Sequence, residues 1–188
     1  MEKPIRLLIV EDSEDDAALL VRELRRNGYD PVFERVGTAQ AMTAVLEKQV
    51  WDVIICDYNL PNFSAPAALT LLQKSGLDLP FIIVSGSVGE DVAVAAMKSG
   101  AHDYIMKGNL KRLIPAIERE VQEAEGRQKR KQAEERLQRH TEELEHFNRL
   151  AVGRELRMVE LKQQINELSQ QLGKAPPYRL SDIQKDDT

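Results

Sequence analysis

Hydrophobic residues fall into short runs over the first half of the chain and into a long repeating stripe over the second. Ile5 to Val10 (broken only by Arg6), Val53 to Cys56 and Phe81 to Val84 are apolar runs rich in valine and isoleucine. Such runs read as strands buried on both faces. Val32-Phe33-Glu34-Arg35-Val36 mixes apolar and charged positions, as an edge strand does, and Asp103 to Met106 makes a last short strand. Between the strands the spacing turns helical. Ala17, Leu20, Val21 and Leu24 line one face of a helix that stops before Gly28. Thr38 can cap a helix running to about Lys48, Pro66 to Lys74 makes another, and Glu90 to Ser99 a fourth that ends at Gly100. A fifth begins near Leu110, with Leu113, Ile114, Ile117 and Val121 facing the sheet and Pro115 in the tolerant first turns. Five strand–helix repeats predict an α/β fold, a doubly wound five-stranded parallel sheet with right-handed crossovers and helices on both faces.

The second half follows a different rule. Glu118 to Glu135 is almost wholly polar and reads as a solvated helical connector, with Gly126 a soft point within it. A heptad pattern then sets in. Leu137, Leu144, Ala151, Met158, Ile165 and Leu172 hold one set of positions; Ala133, His140, Phe147, Arg154, Leu161 and Leu168 hold the other. Ten of these twelve are apolar, which predicts a long C-terminal helix forming a coiled coil. An apolar stripe roughly 60 Å long, at 1.5 Å per residue, needs a partner, so a homodimer is expected through Leu137, Leu144, Phe147, Ala151, Met158, Leu161, Ile165, Leu168 and Leu172. Leu150, Val152, Leu156 and Val159 lie outside that seam and widen the apolar surface. Gly173 ends the helix and Ala175-Pro176-Pro177 prevents its resumption. The expected organisation is a domain over 1–125, a connector and coiled coil over 126–173, and a disordered tail over 174–188.

Charge and composition narrow the class. Residues 1–125 carry 13 Lys/Arg against 20 Asp/Glu, and an acidic surface argues against nucleic acid there. Arg127-Gln128-Lys129-Arg130-Lys131 precedes the heptads as a basic region would, but Glu134-Glu135 follow and the run reads as a solvated face. Cys56 is the single cysteine and lies in a predicted strand, so no disulfide framework exists. No signal-peptide layout or membrane-length apolar run is present, and a cytoplasmic protein is expected.

The chemistry gathers at strand ends. Asp57 closes the third strand, and in an open parallel sheet the carboxyl edge is where ligands bind. A dinucleotide fold would place a glycine-rich turn after its first strand, so that backbone amides can approach a pyrophosphate. Here that turn is Glu11-Asp12, which repels phosphate unless a divalent cation stands between. Together with Asp57 these acids suit a hard, largely hydrated cation such as Mg²⁺. Glu14, Asp15 and Asp16 read differently, as acids that favour a helix N-terminus. Ser85 adds a hydroxyl after the fourth strand and Lys107 an ammonium after the fifth.

Glu11-Asp12, Asp57, Pro61 four residues later, Ser85-Gly86 and Lys107, with Tyr104 three before the lysine, resemble the receiver domains of two-component response regulators over about residues 4–120. The resemblance implies a flavodoxin-like strand order 2-1-3-4-5 and Asp57 as phosphoacceptor. It implies Mg²⁺ on Asp57, Asp12 and the carbonyl of Asn59, with Glu11 acting through water. It further implies Ser85 and Lys107 on the phosphoryl oxygens, Ser85 and Tyr104 as switch residues, and a sensor histidine kinase or phosphotransfer protein as donor. Such a domain is no metabolic enzyme and catalyses only its own phosphotransfer and dephosphorylation. Glu11 stands for the commoner aspartate, Ser85 for threonine, and Gly108 for the proline that usually follows the lysine. Without that proline the Lys107–Gly108 bond is expected trans.

Gly153-Arg154-Glu155-Leu156-Arg157 weakly resembles the first helix of a histidine kinase dimerisation domain, with Arg154 in place of the histidine. A guanidinium stays protonated and cannot accept phosphate, so Arg154 is expected to set register or to pair with an acid such as Glu155 of a second chain. Two rival roles remain open at this stage, a phosphorelay intermediate and a scaffold indifferent to phosphorylation.

Overall fold

A computed structural model describes residues 2–61, 63–86 and 89–179. The strands are β1 (Lys3–Val10), β2 (Tyr29–Val36), β3 (Val53–Asp57), β4 (Phe81–Ser85) and β5 (Asp103–Met106). The helices are α1 (Glu14–Arg26), α2 (Ala39–Lys48), α3 (Ala65–Ser75), α4 (Glu90–Lys98) and α5 (Leu113–Gln171). The sheet is parallel in the order β2-β1-β3-β4-β5, so the mixed strand β2 is indeed an edge.

The apolar runs divide by parity because side chains alternate across a strand. Leu8, Val10, Ile54, Cys56, Phe81 and Ile83 point to one layer, where α2, α3 and α4 bring Met42, Val45, Leu69, Leu72 and Ala96. Leu7, Ile9, Val53, Ile55, Ile82 and Val84 point to the other, filled by α1 with Leu20 and Leu24 and by α5 with Leu113 and Ile117. With both faces covered, the sheet is rigid and holds its carboxyl edge in place. Capping agrees with the sequence: Thr38 Oγ1 accepts the Ala41 N–H, and Ser64 Oγ accepts that of Ala67.

Two boundaries differ from expectation. The start of the last helix is a 3-10 segment over Lys107–Arg112, with Asn109 outside helical geometry, and α-helix begins only at Leu113. The polar stretch from Glu118 is not simply a solvated connector. Glu120 is buried beside Arg119, which also reaches Asp103; Glu118 accepts from the Tyr29 hydroxyl; and the Arg127 guanidinium grips Asp78 with two bonds of 2.9 and 2.7 Å. These ion pairs carry the compact first unit to Arg130, and a second unit covers Lys131–Thr188.

Within the second unit, Leu137, Leu144, Phe147, Met158, Leu161, Ile165, Leu168 and Leu172 are 41–73% exposed. Gly173 ends the helix in the left-handed region at φ 68°, where its amide reaches the Gln170 carbonyl. Past it, Asn166 makes two bonds to the Tyr178 backbone, so residues 174–179 turn back beside the helix end. Residues 180–188 of the expected disordered tail lie outside the described residues. No helix among the described residues is long and apolar enough to cross a membrane.

His102, at the entry to β5, gives the fold an acid-sensitive joint. Its N–H donates to the Phe81 carbonyl at 2.8 Å, and its Nδ1 accepts the Phe81 N–H at 3.1 Å. Burial holds the imidazole below its ordinary range; Glu120, Asp78 and Glu123 oppose this and Arg127 adds to it. A proton on Nδ1 would set donor against donor. The folded chain therefore takes up that proton less readily than the unfolded one, and stability fully present above about pH 6.5 is lost as the pH falls from there through the lower pKa of the folded imidazole. Urea midpoints at pH 7.5 and 5.5 should drop further in wild type than in His102→Gln, whose amide oxygen accepts at either pH. Equal drops would remove His102 from the effect.

Candidate functional site

Parallel register brings four strand ends together. Val10 lies beside Cys56, Asp57 beside Val84, and Ser85 beside Met106, so Glu11, Asp12, Asp57, Ser85 and Lys107 all emerge at one carboxyl edge. Glu11 is buried, Asp57 partly buried and Asp12 exposed, and carboxylate oxygens of the three lie within 4.8 Å of one another. The loop that carries two of them is held by Arg35 at the end of β2. Its guanidinium donates to the carbonyls of Glu11 (3.2 Å) and Asp12 (2.9 Å) and to Glu14 (3.0 Å). Nothing in a strand that reads only as an edge announces this role.

The Lys107 ammonium stands among the acids. It bonds Glu11 Oε2 at 3.0 Å, Asp57 Oδ2 at 3.1 Å and the carboxylate of Asp16. Burial works to lower the Lys107 pKa, but the bonds to Asp16, Glu11 and Asp57 outweigh it and hold the ammonium above its ordinary range. Burial likewise pushes Glu11 up, and the Asp57 charge adds to this, while the Ser13 amide and Lys107 pull it back.

Asp16 corrects the sequence reading, which gave it only to the helix N-terminus. Ser13 does cap α1, its Oγ accepting the Asp16 N–H at 3.2 Å. In a capping box the N3 acid would reach back to the cap amide. Here Ser13 N–H donates to Glu11 Oε1 at 3.1 Å instead, and the Asp16 carboxylate turns to Lys107. Nothing in the sequence separates Asp16 from Glu14 and Asp15, the other acids of the first turn.

The remaining expected residues have distinct surroundings. Ser85 is fully buried and its Oγ has no hydrogen-bond partner among the described residues. The Tyr104 ring packs on the layer with Phe81 and Ala96, and its hydroxyl too is buried and unpartnered. Asn59 is exposed two positions beyond β3, bridged to Ser64. Described peptide bonds, Lys107–Gly108 included, are trans. Three converging carboxylates of hard oxygen, beside a buried hydroxyl that lacks a partner, fit a divalent cation together with an oxyanion.

The family model of the response regulator receiver domain matches residues 7–118. This chain belongs to that family. Over 102 residues its receiver domain is 33% identical to the transcriptional regulatory protein PrrA of Mycobacterium bovis, a match covering 54% of this chain and 43% of PrrA. Over 105 residues it is 28% identical to a chemotaxis protein CheY homolog of Campylobacter jejuni, covering 55% of this chain and 81% of the homolog. The chain thus spans less than half the length of the PrrA proteins it matches. Among solved structures, the receiver domain assigned to a LuxO repressor protein of Vibrio parahaemolyticus superposes with a TM-score of 0.59 at 26% identity, over 66% of this chain and 95% of that one. FixJ-N superposes with a TM-score of 0.55 at 28% identity, over 65% and 96%. All these matches concern the receiver, and the helix beyond it is left to its own residues.

Proposed function

We propose that this receiver accepts a phosphoryl group on Asp57 from a histidine kinase or phosphotransfer protein and passes the change to a dimeric coiled coil grown from α5. The observation that carries the reading is the Lys107 ammonium on the Asp57 carboxylate, at the edge where the buried Ser85 hydroxyl lacks a partner. An Asp57 oxygen attacks the phosphorus of a phosphohistidine. The O–P bond forms as the N–P bond breaks, and the electron pair stays with the donor imidazole. Phosphoryl transfer asks little else of a protein than alignment and neutralised charge. Glu11, Asp12, Asp57 and the Asn59 carbonyl would hold Mg²⁺, which supplies charge neutralisation on the transferring oxygens. Lys107 and Ser85 take the phosphoryl oxygens. Ser85 moving toward them opens room beside Tyr104, whose hydroxyl, unpartnered among the described residues, can then find a partner. Acetyl phosphate with Mg²⁺ should add one phosphoryl group to the protein by intact mass, and a chain that takes none would remove this reading.

The output is read from the exposed heptad stripe of residues 133–172, whose occupant is a second copy of the same helix. Arg154 interrupts the stripe. In a parallel pair it meets its own like charge, so Arg154→Leu should raise the melting temperature by about 3–6 °C while leaving Asp57 phosphorylation unchanged. An unaltered melting temperature would take position 154 out of the seam.

A further inference from the structure

We infer that Asp16 is a positioning residue of this site, a carboxylate that holds the Lys107 ammonium back from the phosphoryl group and so sets how readily Asp57 is modified. The inference rests on the reading of Asp57 as acceptor and deepens it. A lysine ammonium has three N–H donors, and here it faces three carboxylates, those of Glu11, Asp57 and Asp16. Each donor is therefore taken, and a phosphoryl oxygen must displace one of them.

The three partners are not equivalent. Glu11 and Asp57 belong with Asp12 to the cluster that can hold a cation, and a cation there would draw them from Lys107. Asp16 is outside that cluster and keeps its hold. It is also uncommitted elsewhere, because the Ser13 amide that a capping box would offer it is bonded to Glu11. The Ser85 hydroxyl, buried and unpartnered, marks a place for an oxygen that Lys107 must also serve. The side chains of Lys107 and Asp16 are 24% and 35% exposed, so water competes for the pair and it can open. Asp16 therefore acts as a brake of moderate strength.

The test uses the full chain with Mg²⁺, reading beryllofluoride affinity by fluorine NMR and the acetyl phosphate reaction rate by intact mass. Asp16→Asn should raise both about three- to tenfold, the scale of one exchanged hydrogen bond to a charged group near the surface. Asp16→Ser is a second neutral variant should the first fold poorly, and Asp16→Glu should return toward wild type. Asp15→Asn removes the same charge from the same turn but at an exposed position, and should leave both readouts unchanged. In a Lys107→Gln background the gain from Asp16→Asn should vanish, since its effect passes through the ammonium. Equal gains from Asp15→Asn and Asp16→Asn, a gain that survives Lys107→Gln, or no gain at all would each overturn the role of Asp16. A wild-type chain that takes neither phosphoryl nor beryllofluoride would instead overturn the acceptor reading beneath it.

Discussion

Replacing Asp57 with asparagine is expected to abolish phosphorylation while the protein stays folded. The chemical loss should be complete, because an amide oxygen is a far weaker nucleophile than a carboxylate and its attack would leave no stable acyl phosphate. The structural cost should be small, because two effects oppose one another. Asp57 gives Lys107 one of its three bonds, yet its charge also pushes against Glu11. Removing it leaves Lys107 with Glu11 and Asp16 and relieves the crowding of carboxylates. A stability change within about 1 kcal/mol is expected, as for substitutions that bury no new unpaired charge. Intact mass after acetyl phosphate and Mg²⁺ checks the chemistry, and a urea titration checks the fold. Phosphoryl uptake that survives the substitution would move the acceptor to another residue.

Ending the chain after Arg130 should convert a dimer into a folded monomer that still takes phosphate at Asp57. Nine seam positions per helix are available, most of them roughly half exposed in the single chain. Burying the exposed half of a large aliphatic side chain contributes about 1 kcal/mol, so a paired helix gains on the order of 10 kcal/mol per chain. Association costs about 4–15 kcal/mol in lost freedom, and the roughly 20 kcal/mol from two chains leaves the roughly 8 kcal/mol of a micromolar dimer as long as that cost stays below about 12 kcal/mol. The cut belongs after Arg130 rather than after Glu125 because Arg127 is anchored to Asp78 on the receiver. Light scattering on the two lengths decides the matter. A shortened chain that remains dimeric would place the interface on the receiver, and a full chain that is monomeric would leave the stripe for another partner.

The sequence by itself determined the sheet, its edges and the chemical inventory of the site. Short valine- and isoleucine-rich apolar runs read as strands covered on both faces, their alternation with helical spacing argued for a doubly wound parallel sheet, and the receiver resemblance implied the strand order that the structure shows. Strand ends are legible because burial stops abruptly there, so Asp57, Ser85 and Lys107 stood out as polar groups at the close of apolar runs. What lay beyond the sequence was which partner each charge would find. A carboxylate in a first helical turn serves the helix dipole equally well whether or not a lysine reaches it from ninety-one residues away, so Asp16 carried no mark of its second role. The same holds for Arg35, whose grip on the Glu11–Asp12 loop depends on the register of β2 against β1. It holds too for Glu120 and Arg127, polar residues on a polar helix until the first turns of α5 are laid against the receiver. Hydrophobic burial leaves a periodic signature because it is non-directional and needs only the right face. An ion pair needs two particular side chains at bonding distance, and only the tertiary structure decides which two.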